Sequence, residues 1–359
     1  MMAHDHSARH YRIDTERMLD KALGLPDQMA EAWDLADDLV ECMPAGAKTL
    51  IICGMGGSAI GGQLLRDLIA EDSDVSVHIE RGYTLPAFAG KKTPVVCVSY
   101  SGNTEEVLGC FRDGLERGVP MAVISSGGIL TEEAKKAGVT ALRVPGGMPP
   151  RAALGYLFTP LLKLAACWGF CSIEEEEFRS VLRKTRKLLD KCALEADLAG
   201  NTPMQLAKRL YGKIPLVYSG NGLLVGAAYR WKCQFNENSK CLAFVNNFPE
   251  LGHNEIMGWD SPEKILQEIF LVMLTDIDDH PRVSKRMDVT YEMLEPLAAG
   301  AIKLNSVGGP GFAGRLARLL SIVALGDLAS VYLAVESGKD PTPIDKIEEM
   351  KDKLRSEDE

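Results

Sequence analysis

The stretch Val95–Leu108, VVCVSYSGNTEEVL, passes from four apolar residues into a small polar turn and then into an acidic, apolar helix pattern. A buried strand that runs directly into a helix sets the hydroxyls of Ser99, Ser101 and Thr104 beside that helix's N-terminus. Unpaired N–H groups and partial positive charge favour an anion there. Three hydroxyls can hold a phosphate without adding charge, so the turn is expected to hold a phosphorylated small molecule.

The same grammar continues on both sides. Upstream, the short strand Leu50–Cys53 leads into Gly54-Met-Gly-Gly57-Ser58-Ala-Ile-Gly-Gly62 and a helix, and Val75–Glu80 reads as the next strand. Downstream, Met121–Ser125 and Ala141–Val144 are strands separated by the helix Thr131–Ala137. Such alternation implies βαβ units and a parallel sheet covered on both faces, an α/β fold. A long helix then starts near Arg151, after Pro149-Pro150, and runs to about Trp168. Residues 172–198 read as a charged connecting helix whose acidic run Glu174–Glu177 sits in the first turn, where negative charge is favoured. A second alternating region begins near Asn201, with strands at Leu216–Ser219, Leu242–Val245, Ile269–Thr275 and Ile302–Ser306. Its helices are expected at Leu223–Phe235, Arg282–Ala298, Phe312–Ser337 and Ile344–Leu354.

The two halves echo each other: Leu50–Gly61 can be laid on Leu216–Gly226, each a strand, a G-x-G turn and a helix start rich in small residues. Two copies of one α/β unit are therefore expected. The first spans 35–170 and the second 201–359 with a C-terminal helix; 171–200 connects them and 1–34 is an N-terminal tail and helix. Within that leading segment Met29, Trp33, Ala36 and Val40 form one apolar stripe at helical spacing. Residues 1–12, with His4, His6 and His10, are expected to be a frayed tail.

At 359 residues and 46% apolar, the chain can build cores for two domains. A net charge of −10 argues against nucleic acid and anionic membranes as partners. The nine cysteines are odd in number, several lie in apolar runs, and none has a zinc-site spacing; reduced thiols in the cytoplasm are expected, with no metal. The first residues, MMAHDHSARHYR, show no apolar leader pattern, and no segment is expected to be long and apolar enough to span a bilayer.

Several residues can carry chemistry. Gly54, Gly56 and Ala59, with Glu80 closing the next strand, approach a dinucleotide fingerprint, which leaves an NAD-linked oxidoreductase as one reading. Two adjacent small-residue turns suit a compact sugar phosphate, the other reading. Arg151 is a cation placed to reach a ligand's phosphate or hydroxyls. Glu237, in Phe235-Asn-Glu-Asn238-Ser239-Lys240, sits at a helix end where negative charge is unfavourable, so it is either solvated or held for a task; Asn236, Asn238 and Ser239 can hold its carboxylate. His253, in Glu250-Leu-Gly-His-Asn-Glu-Ile-Met-Gly-Trp259, is a histidine in a polar loop and a candidate general acid/base. His78 and His280 read as structural. Neither a G-x-S-x-G elbow nor a P-loop lysine motif is present.

GMGGSAIGG followed by SYSGNTEE resembles the sugar isomerase (SIS) domain. With PPRAALGY, the Glu237 segment, LGHNEIMGW and DPTPIDKIEEMK, the chain from about Leu35 onward resembles the bifunctional phosphoglucose/phosphomannose isomerase family. The resemblance implies two SIS-type domains and aldose–ketose isomerisation of hexose 6-phosphates without metal or nucleotide. It assigns Gly57, Ser58, Ser99, Ser101 and Thr104 to substrate and phosphate contacts, and Arg151 to a further contact. Glu237 matches the base that moves a proton between C1 and C2, and His253 the group that opens the sugar ring across a homodimer interface. Lys351, with Lys346 as alternate, matches a second ring-opening group, and Thr342 the threonine that makes room for either C2 epimer. A non-catalytic sugar-phosphate-binding SIS module remains a further reading.

Overall fold

A computed structural model describes residues 10–37, 39, 47–197 and 199–357. Val40, Cys42, His4 and His6 lie outside the described residues.

The first sheet contains β1 (Thr49–Cys53), β2 (Ser76–Glu80), β3 (Val95–Val98), β4 (Met121–Ser125) and β5 (Thr140–Arg143) in the order β2-β1-β3-β4-β5. The second contains β6 (Ile214–Gly220), β7 (Phe244–Phe248), β8 (Ile269–Thr275) and β9 (Gly300–Asn305) in the order β7-β6-β8-β9. Every pairing is parallel. The neighbours of β1 are β2 and β3, and the neighbours of β6 are β7 and β8, so both halves wind from their first strand to either side. That common order is the structural form of the sequence echo. In each half the chain reverses direction across the sheet beside the first strand, at β1/β3 and at β6/β8, and ligands of open α/β sheets bind at such switch points.

β3 shows why the fold is read from its stretch. All four residues of Val-Val-Cys-Val are buried, as a central parallel strand covered on both faces requires. Each such aliphatic side chain contributes about 1.5–3 kcal/mol on burial. Gly118, with φ at 63°, ends the following helix Glu105–Arg117 in the left-handed conformation that glycine adopts most easily.

The helix Gly311–Glu336 corrects one expectation. Its 26 residues are long and apolar enough to cross a membrane by length and composition. Here it is the central core helix, packed on Thr202–Leu210, Val225–Glu237 and Glu175–Asp190, and 89% of its most apolar window is buried inside the protein. Its charges are paired within that core: Arg318 Nε with Asp276 at 2.9 Å, and Asp327 with Arg230 at 2.7 Å. One apolar cluster runs through both halves, from Met18 and Trp33 through Phe158 to Trp231 and Leu328.

The start of the chain is also more ordered than expected. His10 is buried, edge-on to Tyr332 at 5.7 Å, and Asp14 accepts hydrogen bonds from the N–H groups of Met18 and Leu19 at 2.7 and 2.9 Å. The helix expected from Arg151 instead begins with a 3-10 turn, Pro150–Ala152, and continues as Leu154–Cys167. The helix Thr202–Leu210 carries a local signal that hydrophobic periodicity does not show: Asn201 caps it by accepting from Met204 N at 3.1 Å, and Pro203 stands in its first turn.

Candidate active site

The turn after β3 is bound to the loop after β1. Ser58 Oγ accepts from Tyr100 N at 3.1 Å, Ser99 Oγ accepts from Gly102 N at 3.1 Å, and Ser99 and Thr104 share a hydroxyl–hydroxyl bond at 2.9 Å. Ser58 and Ser99 are buried, Ser101 is exposed and Thr104 half-buried. The expected contacts thus divide into the buried hydroxyls of Ser58 and Ser99, which shape the turn, the half-buried Thr104 hydroxyl bonded to Ser99, and the exposed Ser101. Gly102, with φ at 69°, lets the turn lie against the backbone of Gly127.

The loop after β1 touches the Pro149-Pro150-Arg151 segment directly. A Cβ at Gly57 would stand 2.9 Å from both Arg151 N and the Pro150 carbonyl carbon. Arg151 then carries the contact into the second half. Its Nε donates to Asn238 Oδ1 at 2.6 Å, and its Nη2 to the carbonyls of Pro341 and Thr342, both at 2.8 Å. Its Nη1 faces Glu237 Oε2 at 3.6 Å. Arg151 is only 3% exposed, and burial lowers its pKa against the opposing pull of Glu237. The Glu237 carboxylate remains 27% exposed, so it is paired on one side and open on the other. The hydroxyl of Thr342, on the same segment that Arg151 grips, is buried with no hydrogen-bond partner among the described residues. Glu237 and the segment after Thr342 both line a cleft of about 470 Å³.

Several expectations change in detail. Asn236, Asn238 and Ser239 do not hold the Glu237 carboxylate. Asn238 joins Arg151 to Ser330, Ser239 donates to the Ser330 carbonyl, and Asn236 donates to the Cys241 carbonyl. Both lysines lie on the helix Asp345–Glu357, but Lys346 lines the cleft with Glu237, whereas Lys351 lies on an exposed turn further along. Five residues of helix rotate the side chain through about 140°, which takes Lys351 off the cleft face. His253 is exposed at the end of a 3-10 turn, Glu250–His253, after β7. Among the described residues it makes no hydrogen bond or ion pair with Glu237 or Arg151. Its loop is anchored by Glu255, which accepts from Tyr218 Oη at 2.6 Å and pairs with Asn246.

Glu80, the acid of the dinucleotide reading, is engaged locally. Its Oε1 accepts from Gly82 N at 2.6 Å and its Oε2 lies 3.3 Å from His78. His280 is structural as expected, its Nδ1 accepting from Arg282 N at 3.1 Å.

The corresponding cradle in the second half is already filled by the protein's own carboxylates. Asp67, from the first half, accepts from Gly226 N at 2.7 Å in the first turn of helix Val225–Glu237. Asp279 follows β8, where the first half has its serine turn, and packs against Gly220. Burial raises the pKa of Asp67 and carries that of Asp279 up to about 6.

One residue of the site escaped sequence reading. Lys240 is half-buried beside Glu237, and its Nζ donates to the Glu237 carbonyl at 2.8 Å and the Pro341 carbonyl at 2.9 Å. The local signal was a cation just beyond a helix end, which is favourable for the helix dipole and common on surfaces.

The profile of the bacterial phospho-glucose isomerase C-terminal SIS domain matches residues 199–354. The chain is 38% identical over 338 residues to the bifunctional phosphoglucose/phosphomannose isomerase of Caldicellulosiruptor bescii, covering 94% of this chain and 98% of that one. It is 38% identical over 323 residues to the enzyme of the same name from Aquifex aeolicus, covering 90% and 93%. A solved structure of a hypothetical protein from Thermus thermophilus shares the fold, with a TM-score of 0.73 at 15% identity over 98% of this chain and 94% of that one.

Proposed function

Because the chain belongs to the bifunctional phosphoglucose/phosphomannose isomerase family, we propose that it interconverts fructose 6-phosphate with glucose 6-phosphate and mannose 6-phosphate through an enediolate. The observation that carries this reading is the meeting of Glu237 and Arg151 at 3.6 Å beside the Thr342 hydroxyl, which has no hydrogen-bond partner among the described residues. Glu237 takes the proton from the carbon beside the carbonyl and returns it to the neighbouring carbon, while the hydroxyl proton passes between O1 and O2. This chemistry requires a carboxylate base beside donors for the developing oxyanion, and a glutamate serves as the base in the same way in triosephosphate isomerase. The buried Arg151 cation supplies stabilisation where negative charge develops. The turn at Ser99, Ser101 and Thr104, with Gly57 and Ser58, holds the phosphate, so binding energy remote from the reacting carbons orients them. Thr342 accommodates either configuration at C2.

His253 opens the sugar ring from a neighbouring subunit, in a homodimer. Its exposure on its own chain, with exposed Phe244 and Met257 nearby in sequence, supports that arrangement. Lys346 serves as the second ring-opening group, supported by its place in the cleft wall. The eight described cysteines are all free, which suits a reducing compartment such as the cytoplasm.

The test supplies fructose 6-phosphate to EDTA-treated protein and measures both aldose 6-phosphates. Formation of neither overturns the reading. Mixing Glu237→Gln and His253→Ala subunits tests the shared site: activity above the sum of the parents is expected, and a simple sum would refute the arrangement in trans.

A further inference from the structure

Lys240 adopts a left-handed backbone conformation, with φ at 54°, three residues beyond the last residue of helix Val225–Glu237. That conformation disfavours residues with a long side chain, and glycine or asparagine adopts it at less cost. The Lys240 side chain is nevertheless fully engaged. It joins the Glu237 carbonyl, at the end of the helix that carries the base, to the Pro341 carbonyl about a hundred residues later in the chain. Its own carbonyl accepts from Lys339 Nζ at 3.2 Å. Arg151 grips the same Pro341 carbonyl and the next one. Two cations from opposite halves of the chain therefore clamp two successive carbonyls of one segment. Directly after that segment, Pro343–Ile347 line the cleft together with Asn236, Glu237 and Lys240–Leu242.

We propose that Lys240 is a positioning residue for the isomerisation: it ties the end of the Glu237 helix to the C-terminal strap, and so sets the base at a fixed separation from the strap that carries Thr342. The proposal rests on the isomerase reading above. The Glu237 carbonyl is the last in its helix and lacks an intrahelical partner, so the half-buried Lys240 cation there both caps the helix and opposes its negative end. Without the Lys240 ammonium, Arg151 is the one of these two cations left on the Pro341 and Thr342 carbonyls. A misplacement of about 1 Å at a reacting centre can reduce rate about 10²-fold.

The clamp is also sensitive to pH. Burial and the facing Arg151 guanidinium bring the Lys240 ammonium down to about 8, while Asp340, Asp345 and Glu237 hold it up. Lys339, whose Nζ reaches the Lys240 carbonyl, and Lys346, in the cleft lining, are further cations nearby. As pH rises through about 8 the ammonium becomes a neutral amine, the weaker donor, and its tie between the helix end and the strap weakens while Arg151 keeps its own grip.

The experiment measures kcat and KM for fructose 6-phosphate from pH 6 to 10 in wild type, Lys240→Met and Lys240→Arg, with inhibition by inorganic phosphate alongside. Wild-type turnover establishes the isomerase reading independently; its absence would defeat that reading rather than this one. Lys240→Met is expected to lower kcat/KM by about 10- to 100-fold, while inhibition by inorganic phosphate, held at the distant serine turn, changes by less than about threefold. Lys240→Arg, which keeps its charge throughout, is expected to restore most of kcat/KM and to lose the alkaline limb near pH 8. Wild-type kcat/KM in Lys240→Met, or the same alkaline limb in Lys240→Arg, would overturn the proposal. Should Lys240→Met fail to fold, the Lys240→Arg profile decides alone.

Discussion

Arg151 Nη1 from the first half of the chain lies 3.6 Å from Glu237 Oε2 in the second. This is the point at which the two sequence halves become one site. The guanidinium reaches it because its other nitrogens are anchored on Asn238, Pro341 and Thr342. A buried cation with such anchors keeps its geometry as charge moves during reaction, which is the condition for electrostatic stabilisation without reorganisation.

Glu237→Gln preserves the shape of the side chain and removes the base. It is expected to lower kcat at least about 10²-fold, in line with the usual contribution of a general base. Binding of inorganic phosphate, measured by competitive inhibition, should change little. Near-normal turnover would remove Glu237 from the reaction.

Gly57→Ala tests the contact between the loop after β1 and Arg151. The new methyl group would meet backbone atoms of Pro150 and Arg151 at 2.9 Å, and backbone cannot move aside as a side-chain end can. A destabilisation of about 1–3 kcal/mol is expected, with a fall in kcat/KM. Gly90→Ala, where no atom lies within 4 Å, is the comparison and should change the melting temperature far less. Equal effects at both positions would contradict the assignment.

The serine turn should separate into affinity and scaffold residues. Ser101→Ala and Thr104→Val are expected to raise KM for the sugar phosphate more than they lower kcat. Ser99→Ala additionally removes the side-chain acceptor of Gly102 N, which keeps its bond to the Ser99 carbonyl, a loss of about 0.5–1.5 kcal/mol. Thermal melts of the three variants distinguish these outcomes; a stable Ser99→Ala with unchanged KM would deny Ser99 either role.

Asp279 makes stability depend on pH. Burial raises its carboxyl to about 6, with Asp276 and Asp278 adding repulsion, against about 3.9 in an unfolded chain. Below about pH 4 both states hold the proton and the group has no effect. Between about 4 and 6 the unfolded chain ionises first, so this contribution to stability is lost as pH rises through the folded value. Asp279→Asn is therefore expected to melt higher than wild type at pH 8, with the difference closing by pH 4. A gap independent of pH would show that the carboxylate's burial is not its cause.

The strands, the G-x-G and serine turns, the internal echo and the candidacy of Glu237 and Arg151 for chemistry are all legible in the residue order. Those features are local: apolar runs choose strands, small residues choose tight turns, and parallel order follows from the alternation with helices. It is the folded chain that brings Arg151 to Glu237, turns Lys346 rather than Lys351 to the cleft, and joins the helix of Glu237 to Pro341 through Lys240. Folding also fills the second cradle with Asp67 and makes the most apolar helix, Gly311–Glu336, a core helix with its charges paired inside. Each of these depends on residues from about five to about two hundred positions apart being set in place by packing, and neither periodicity nor residue type carries that distance. Hydrogen bonds such as those from Arg151 to Pro341 and Thr342 form only after the two halves have closed on their shared core.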